Sequence, residues 1–224
     1  MTIFTTTSYP VGALIADIDL GKVGLPDLQR PFVWANVKVR NLFDSLYKGY
    51  PAGFLLFWDT GAEGGLKGIG AKNSKAVPKL AIVDGQQRLT SLYAVVKGEE
   101  VIRGNFKKER IRIAFNPLTE RFAVWDAAIV KDKSFIPDIS ELWRPEANVF
   151  SIAGDFLDQL SSVRELSDAD KKRIQNAIGK LHGLTNQYSF TALTLSAMVD
   201  GATVADVFVR INGEGKQLNQ YDFI

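Results

Sequence analysis

Apolar positions in this chain follow three patterns, and each predicts a different element. Val39, Leu42, Phe43 and Leu46 recur at the spacing of one helix face, with Asn36 placed to cap that helix. Phe54-Leu-Leu-Phe-Trp58 is apolar without interruption, as in a strand covered on both faces. Lys79-Leu-Ala-Ile-Val-Asp84 is a second apolar run, and it ends in Asp84-Gly85. Leu89, Leu92, Tyr93 and Val96 follow at helical spacing, so this region reads as strand, tight glycine turn and amphipathic helix. Arg110 to Phe115 and Arg121 to Trp125 alternate around Asn116-Pro-Leu-Thr-Glu120, which predicts a β-hairpin. Val11 to Leu20 fits a short helix or a strand. Gly49-Tyr-Pro-Ala-Gly53 is a turn, and the glycine- and lysine-rich stretch from Gly61 to Pro78 reads as a flexible loop.

From Phe135 the pattern becomes helical. Ser167 and Asp170 form a capping box ahead of the stripe Ile174, Ala177, Ile178 and Leu181. Tyr188 to Leu195 reads as a strand. Thr203 is placed to cap a last helix with the stripe Val204, Val207, Phe208 and Ile211. The pattern therefore predicts an α+β fold: an α/β lobe over residues 1–130 and a mainly helical part over residues 131–224.

Composition narrows the function classes. Hydrophobic content of 46% in 224 residues, with 14 Phe and 4 Trp, supports a substantial core. The absence of cysteine excludes disulfides, thiolate zinc sites and thiol catalysis, and fits a cytoplasmic protein. No apolar run approaches the roughly 20 residues needed to span a bilayer, and no signal peptide is read, so no membrane partner is expected. A net charge of +2 means that any contact with nucleic acid must come from local patches. One histidine without cysteine cannot build a histidine-dependent metal nuclease site.

The strongest chemical signal is the turn itself. Asp84, Gly85, Gln86, Gln87 and Arg88 place a carboxylate, two amides and a guanidinium at a helix N-terminus, a favourable place for an anion. A surface ion pair would account for Asp84 and Arg88 but not for the two glutamines. In the functional reading Arg88 neutralises phosphate oxygens. Gln86 or Gln87 orients an attacking water, and Asp84 holds Mg²⁺ or accepts a proton.

Asp84-Gly85-Gln86-Gln87-Arg88 also resembles the DGQQR signature of the N-terminal domain of GmrSD-type restriction endonucleases, a branch of the ParB/sulfiredoxin-like superfamily. Two further blocks carry the resemblance. One is Leu25-Pro26-Asp27-Leu28-Gln29-Arg30-Pro31-Phe32-Val33-Trp34, continued by Leu42 to Leu46 and Gly49 to Gly53. The other is Val207-Phe208-Val209-Arg210-Ile211-Asn212-Gly213-Glu214-Gly215-Lys216-Gln217-Leu218. The resemblance implies a ParB-like N-terminal lobe. It also implies binding and hydrolysis of a nucleoside triphosphate (GTP or another) at the turn, with Gln29, Arg30, Gly85, Arg210 and Asn212 contributing to the nucleotide site. It further implies a bacterial DNA restriction (phage-defence) system, with DNA as a partner and cleavage by a separate nuclease domain or subunit. That domain normally follows this one and is absent here, so the chain reads as an N-terminal fragment. A homo-oligomer stays open. Two rival readings are a ParB-like DNA-binding module using nucleotide as a switch, and a nuclease in its own right.

Packing the last helix on the N-terminal lobe would gather Arg30, Arg88 and Arg210 around one pocket, the expected arrangement of the three blocks. The densest basic cluster, Arg103, Lys107, Lys108 and Arg110 with Phe106 inside it, is a candidate DNA contact. The Gly61–Gly70 stretch is not a phosphate-binding Walker loop, because no Gly-Lys-Ser/Thr closes it. His182, before Gly183, is placed near a helix end, where a cation is favourable.

Overall fold

A computed structural model describes residues 3–26, 31–61, 66–68 and 78–212. Among them a six-stranded mixed sheet runs in the order β1 (Phe4–Pro10), β10 (Ser189–Leu195), β3 (Phe54–Asp59), β5 (Leu80–Asp84), β2 (Val23–Pro26), β4 (Leu66–Gly68). The β10–β3 and β5–β2 pairs are parallel; the other three pairs are antiparallel. The α+β expectation holds. β10 comes from the part expected to be mainly helical, yet it lies between β1 and β3. The sheet therefore joins both sides of the expected division at residue 130.

One face of the sheet carries the main core. Leu55, Phe57, Ile82, Phe190 and Ala192 point into it. They meet α1 (Val11–Asp19), α2 (Asn36–Tyr47), α3 (Gln86–Lys97) and α6 (Asp168–Gln187). Each fully buried Leu or Phe contributes about 1.5–3 kcal/mol. The segment Val11 to Leu20 resolves as a helix because Val11, Leu14, Ile15 and Ile18 are all buried at helical spacing. Its first N–H donates to the carbonyl of Tyr188, just ahead of β10.

The other face is thinly covered. Leu56, Leu195, Val199 and Val204 are buried there, with Phe54, Trp58, Val83, Leu193 and Val207 partly so. The cover includes α7 (Gly201–Asn212). The expected stripe of α7 is only half used. Val204 is buried, whereas Phe208 and Ile211 stay exposed.

Several local expectations hold in detail. Ser167 and Asp170 make both halves of the capping box of α6. The expected hairpin forms as β8 (Ile113–Asn116) with β9 (Arg121–Val124), starting three residues later than expected because Arg110 pairs with Glu100 instead. Tyr47 of α2 stacks on Phe115 and Phe122, with ring centroids 5.2 and 5.6 Å apart, and so docks the hairpin on that helix. Others move. Ala35, not Asn36, is the N-cap of α2, because the Asn36 side chain is drawn to Glu109 and Arg103. Asp200 caps α7 by accepting from the N–H of Thr203 at 2.8 Å. α6 continues through Gly183 to Gln187, so His182 is not at its end.

The chain between α3 and α6 also forms a second hairpin, β6 (Glu100–Ile102) with β7 (Lys108–Arg110), then α4 (Ala127–Lys131), a 3₁₀ turn at Ile139–Trp143 and α5 (Val149–Ser161).

Candidate functional site at the Asp84–Arg88 turn

β5 stops at Asp84, and Gly85 takes φ = 95°, a left-handed backbone that side chains disfavour. A Cβ at Gly85 would collide with Leu55 and press on the Arg88 guanidinium. The turn sends the chain directly into α3, and no side chain caps that helix. The N–H groups of its first turn lack intrahelical partners, as at any helix N-terminus.

The motif divides into two halves. Arg88 is turned inward: its side chain is only 18% exposed. Nη1 donates to the Ala52 carbonyl at 2.8 Å and Nη2 to Asp84 Oδ2 at 3.1 Å. Gly53 explains how the guanidinium fits, since a Cβ there would strike it. Gln87 is also engaged. Its Oε1 accepts from the backbone N–H of Val33 at 3.0 Å and of Trp34 at 3.4 Å, and its Nε2 donates to the Pro31 carbonyl at 3.5 Å. Gln87 thereby holds the opening block against the turn. Gln86 remains half-buried and bonds to no other described residue, and Asp84 keeps one carboxylate oxygen unclaimed by Arg88. Asp84 and Gln86 are the side chains of the motif not used up by the fold. Gln87 and Arg88 build the turn.

The opening block is clamped from its far side as well. Phe32 N–H donates to the Ile102 carbonyl at 3.0 Å. Arg103 donates from Nη1 to the Trp34 carbonyl at 2.6 Å and stacks over the Phe32 ring. Residues 31–34 thus lie between Gln87 and Arg103, beside the turn as the resemblance implies. Gln29 and Arg30 themselves fall outside the described residues.

A family model for the GmrSD restriction endonuclease N-terminal domain matches residues 11–224. The chain belongs to this family. It is also 26% identical over 230 residues to an uncharacterized protein of Methanocaldococcus jannaschii, an alignment covering 91% of this chain and 38% of that relative. The chain therefore spans about two fifths of the curated relative it matches.

The third motif block of this GmrSD-type domain does not join the turn through Arg210. α7 packs its Val204 and Val207 on the sheet face of Leu56 and Val83. A Cβ at Gly85 would point to Leu55 on the opposite face, whereas Asp84 pairs with Leu56 of the face that α7 covers. Arg210 is exposed and pairs with Asp206 of its own helix at 2.8 Å. Asn212 is exposed and donates to the Phe208 carbonyl at 3.1 Å. The expected pocket of three arginines is therefore not assembled by Arg88 and Arg210. The physical reason is that each guanidinium is engaged locally, Arg88 by Ala52 and Asp84 and Arg210 by Asp206 of its own helix.

The basic cluster of this domain also divides. Arg103 donates from Nε to Glu109 at 2.8 Å and is 16% exposed. Hydrogen bonds from Arg103 first, then from Asn36, hold the Glu109 carboxyl below its usual range. Arg110 pairs with Asp138 at 2.8 Å and donates to Ser140 Oγ at 3.1 Å. Both arginines are internal fasteners, which removes them from the expected DNA contact. Lys107 and Lys108 remain exposed.

Two clefts, of about 250 and 520 Å³, lie along α2 and α6 and share Tyr47 and Lys180; the turn lines neither. Among the described residues, no three His, Asp or Glu side chains converge as metal ligands. At the turn, Asp84 offers one carboxylate oxygen that Arg88 does not take. No helix among the described residues is long and apolar enough to cross a membrane.

One signal for the inward Arg88 was present in the sequence. Gly53 lies at the end of the Gly49–Gly53 turn, just before a buried strand, where a glycine marks close approach by another group. Nothing in the sequence marks the Ala52 carbonyl as the acceptor.

Proposed function

We propose that this chain is the nucleotide-binding regulatory domain of a bacterial, modification-dependent DNA restriction system. In this reading it hydrolyses a nucleoside triphosphate at the Asp84–Arg88 turn, and a separate nuclease domain or subunit cuts the DNA. One observation carries the reading. Gly85 in its left-handed conformation leaves the start of α3 uncapped beside Asp84 and Gln86. Phosphate oxygens would accept from the N–H groups of that first turn. Gln86 orients water, which an amide does without a shifted pKa. Asp84 holds Mg²⁺ brought by the triphosphate, or accepts the proton from the water. Arg88 orients Asp84 and does not itself contact the phosphates.

A second reading has support from the same geometry. With Arg88 bonded to Ala52 and Asp84, no arginine of the turn faces the phosphates to stabilise charge as the γ-phosphoryl group leaves. That favours a ParB-like switch, which binds nucleotide without turning it over. Phosphate release and equilibrium binding with GTP, ATP, CTP and UTP, each with and without DNA, separate the two. Release above the buffer rate supports the hydrolase; binding without release supports the switch; neither binding nor release overturns both.

A further inference from the structure

The β6–β7 hairpin carries an aromatic ring in an unusual setting. Phe106 is 85% exposed, the most exposed phenylalanine of the described residues. Its φ is 61°, in the left-handed region where a bulky side chain is an outlier. Gly104 and Asn105 precede it, and either tolerates that backbone more cheaply. The turn nevertheless places the strained conformation on the phenylalanine.

The conformation is not a frayed tip. Phe106 N–H donates to the Arg103 carbonyl at 2.9 Å, and Arg103 N–H donates to the Lys107 carbonyl at 2.9 Å. Asn105 Oδ1 accepts from the Lys107 N–H at 3.1 Å. The base of the hairpin is anchored by Arg103 to Glu109, Asn36 and the Trp34 carbonyl. A fixed turn therefore presents an apolar ring to water, with Lys107 and Lys108 exposed next to it. Neither lysine has a carboxylate partner among the described residues. Retained backbone strain at an exposed position points to a contact made by the side chain.

We propose that this hairpin is a nucleic-acid contact, in which the Phe106 ring stacks on or between bases and Lys107 and Lys108 hold the flanking phosphates. The two cations select a polyanion, and the planar ring selects one that offers π-faces; DNA supplies both. The inference rests on the reading that the domain serves a DNA restriction system, but it assigns DNA to a surface separate from the nucleotide turn.

The test uses the intact chain and a dye-labelled 20-nucleotide DNA carrying 2-aminopurine, offered as a single strand and as a duplex. The wild type should bind in low salt and change the 2-aminopurine fluorescence through stacking. Phe106→Gly should bind about tenfold more weakly and lose that fluorescence change. The same substitution should raise the melting temperature by roughly 2–4 °C, because glycine relieves the left-handed strain. Lys107→Gln with Lys108→Gln should reduce the salt dependence of duplex binding by a slope of about 1.8, at about 0.9 per lost phosphate contact. Equal DNA affinity in wild type and Phe106→Gly would overturn the proposal. So would a lower melting temperature in Phe106→Gly, which would make the ring a structural element, or absence of DNA binding by the wild type. Phosphate release measured on the same samples reports on the nucleotide turn independently, so failure of one reading does not mask failure of the other.

Discussion

The Asp84–Arg88 turn and the Arg103–Arg110 hairpin look alike in sequence. Both are short polar stretches beside apolar runs, and both carry arginines that read as anion receptors. In the fold their arginines turn inward for the same reason. A guanidinium offers five donors in a rigid plane, so it can satisfy carbonyls that loops leave unpaired near a core. Arg88 does this for Ala52, and Arg103 does it for Trp34. What remains on the outside differs. The turn leaves a half-buried carboxylate, a half-buried amide and an uncapped helix start. The hairpin exposes an aromatic ring and two lysines. We propose the first set for a hydrated triphosphate and the second for a nucleic-acid backbone with its bases. In the proposed reading, the residues that meet ligands are those left over after the arginines have been used for construction.

If the two arginines build rather than bind, their loss should unfold the protein before it changes any ligand affinity. Arg103→Ala should be the most damaging. It strands Glu109, Asn36 and the Trp34 carbonyl together, at a cost of roughly 3 kcal/mol. Arg88→Ala should cost about 2 kcal/mol, because it leaves the Ala52 carbonyl and Asp84 without their donor. Urea titrations followed by circular dichroism measure both. A midpoint unchanged in either variant would return that arginine to the list of ligand contacts. Arg88→Ala is therefore a poor probe of catalysis, since lost turnover could reflect lost folding.

Gln87 tests the same division on a smaller scale. Gln87→Ala removes the acceptor for two backbone N–H groups of the opening block, and about 1 kcal/mol of stability should go with it. Hydrogen exchange at Val33 and Trp34 should accelerate. Unchanged protection at those two amides would mean that Gln87 is free to serve the ligand instead.

These inward contacts mark where the sequence stopped being informative. The strand, glycine turn and helix around Gly85 were legible, because periodicity and a positive-φ residue are local properties. The capping box at Ser167 and Asp170 was legible for the same reason. The position of β10 between β1 and β3 was not, since pairing across more than 130 residues leaves no trace in local pattern. The direction of Arg103 was not legible either, because an arginine next to an apolar run looks the same whether it faces water or a carbonyl; for Arg88 only the close-approach glycine at Gly53 pointed inward. The sequence also placed Arg210 and Asn212 by motif, whereas in the fold both bond within their own helix, to Asp206 and to the Phe208 carbonyl.

A smaller effect should follow pH. The folded-state pKa of Glu109 lies below its unfolded value, with the Arg103 hydrogen bond as the first cause. Its contribution is therefore complete above the ordinary glutamate pKa of about 4.3 and is lost as pH falls through the lowered folded value. Glu109→Gln should be less stable than wild type at neutral pH, and the gap should close on acidification below about pH 4.3. A gap that stays constant to pH 3 would show that the carboxylate charge contributes nothing to the hairpin.

The most direct test of the division is a single substitution that the fold should not notice. Gln86→Ala alters a half-buried side chain with no bond to another described residue, so its melting temperature should match wild type within about 1–2 °C. If Gln86 orients the attacking water, phosphate release in this variant should fall at least tenfold while nucleotide still binds. Full turnover in a folded Gln86→Ala protein would contradict the assignment of Asp84 and Gln86 as the ligand-facing half of the motif.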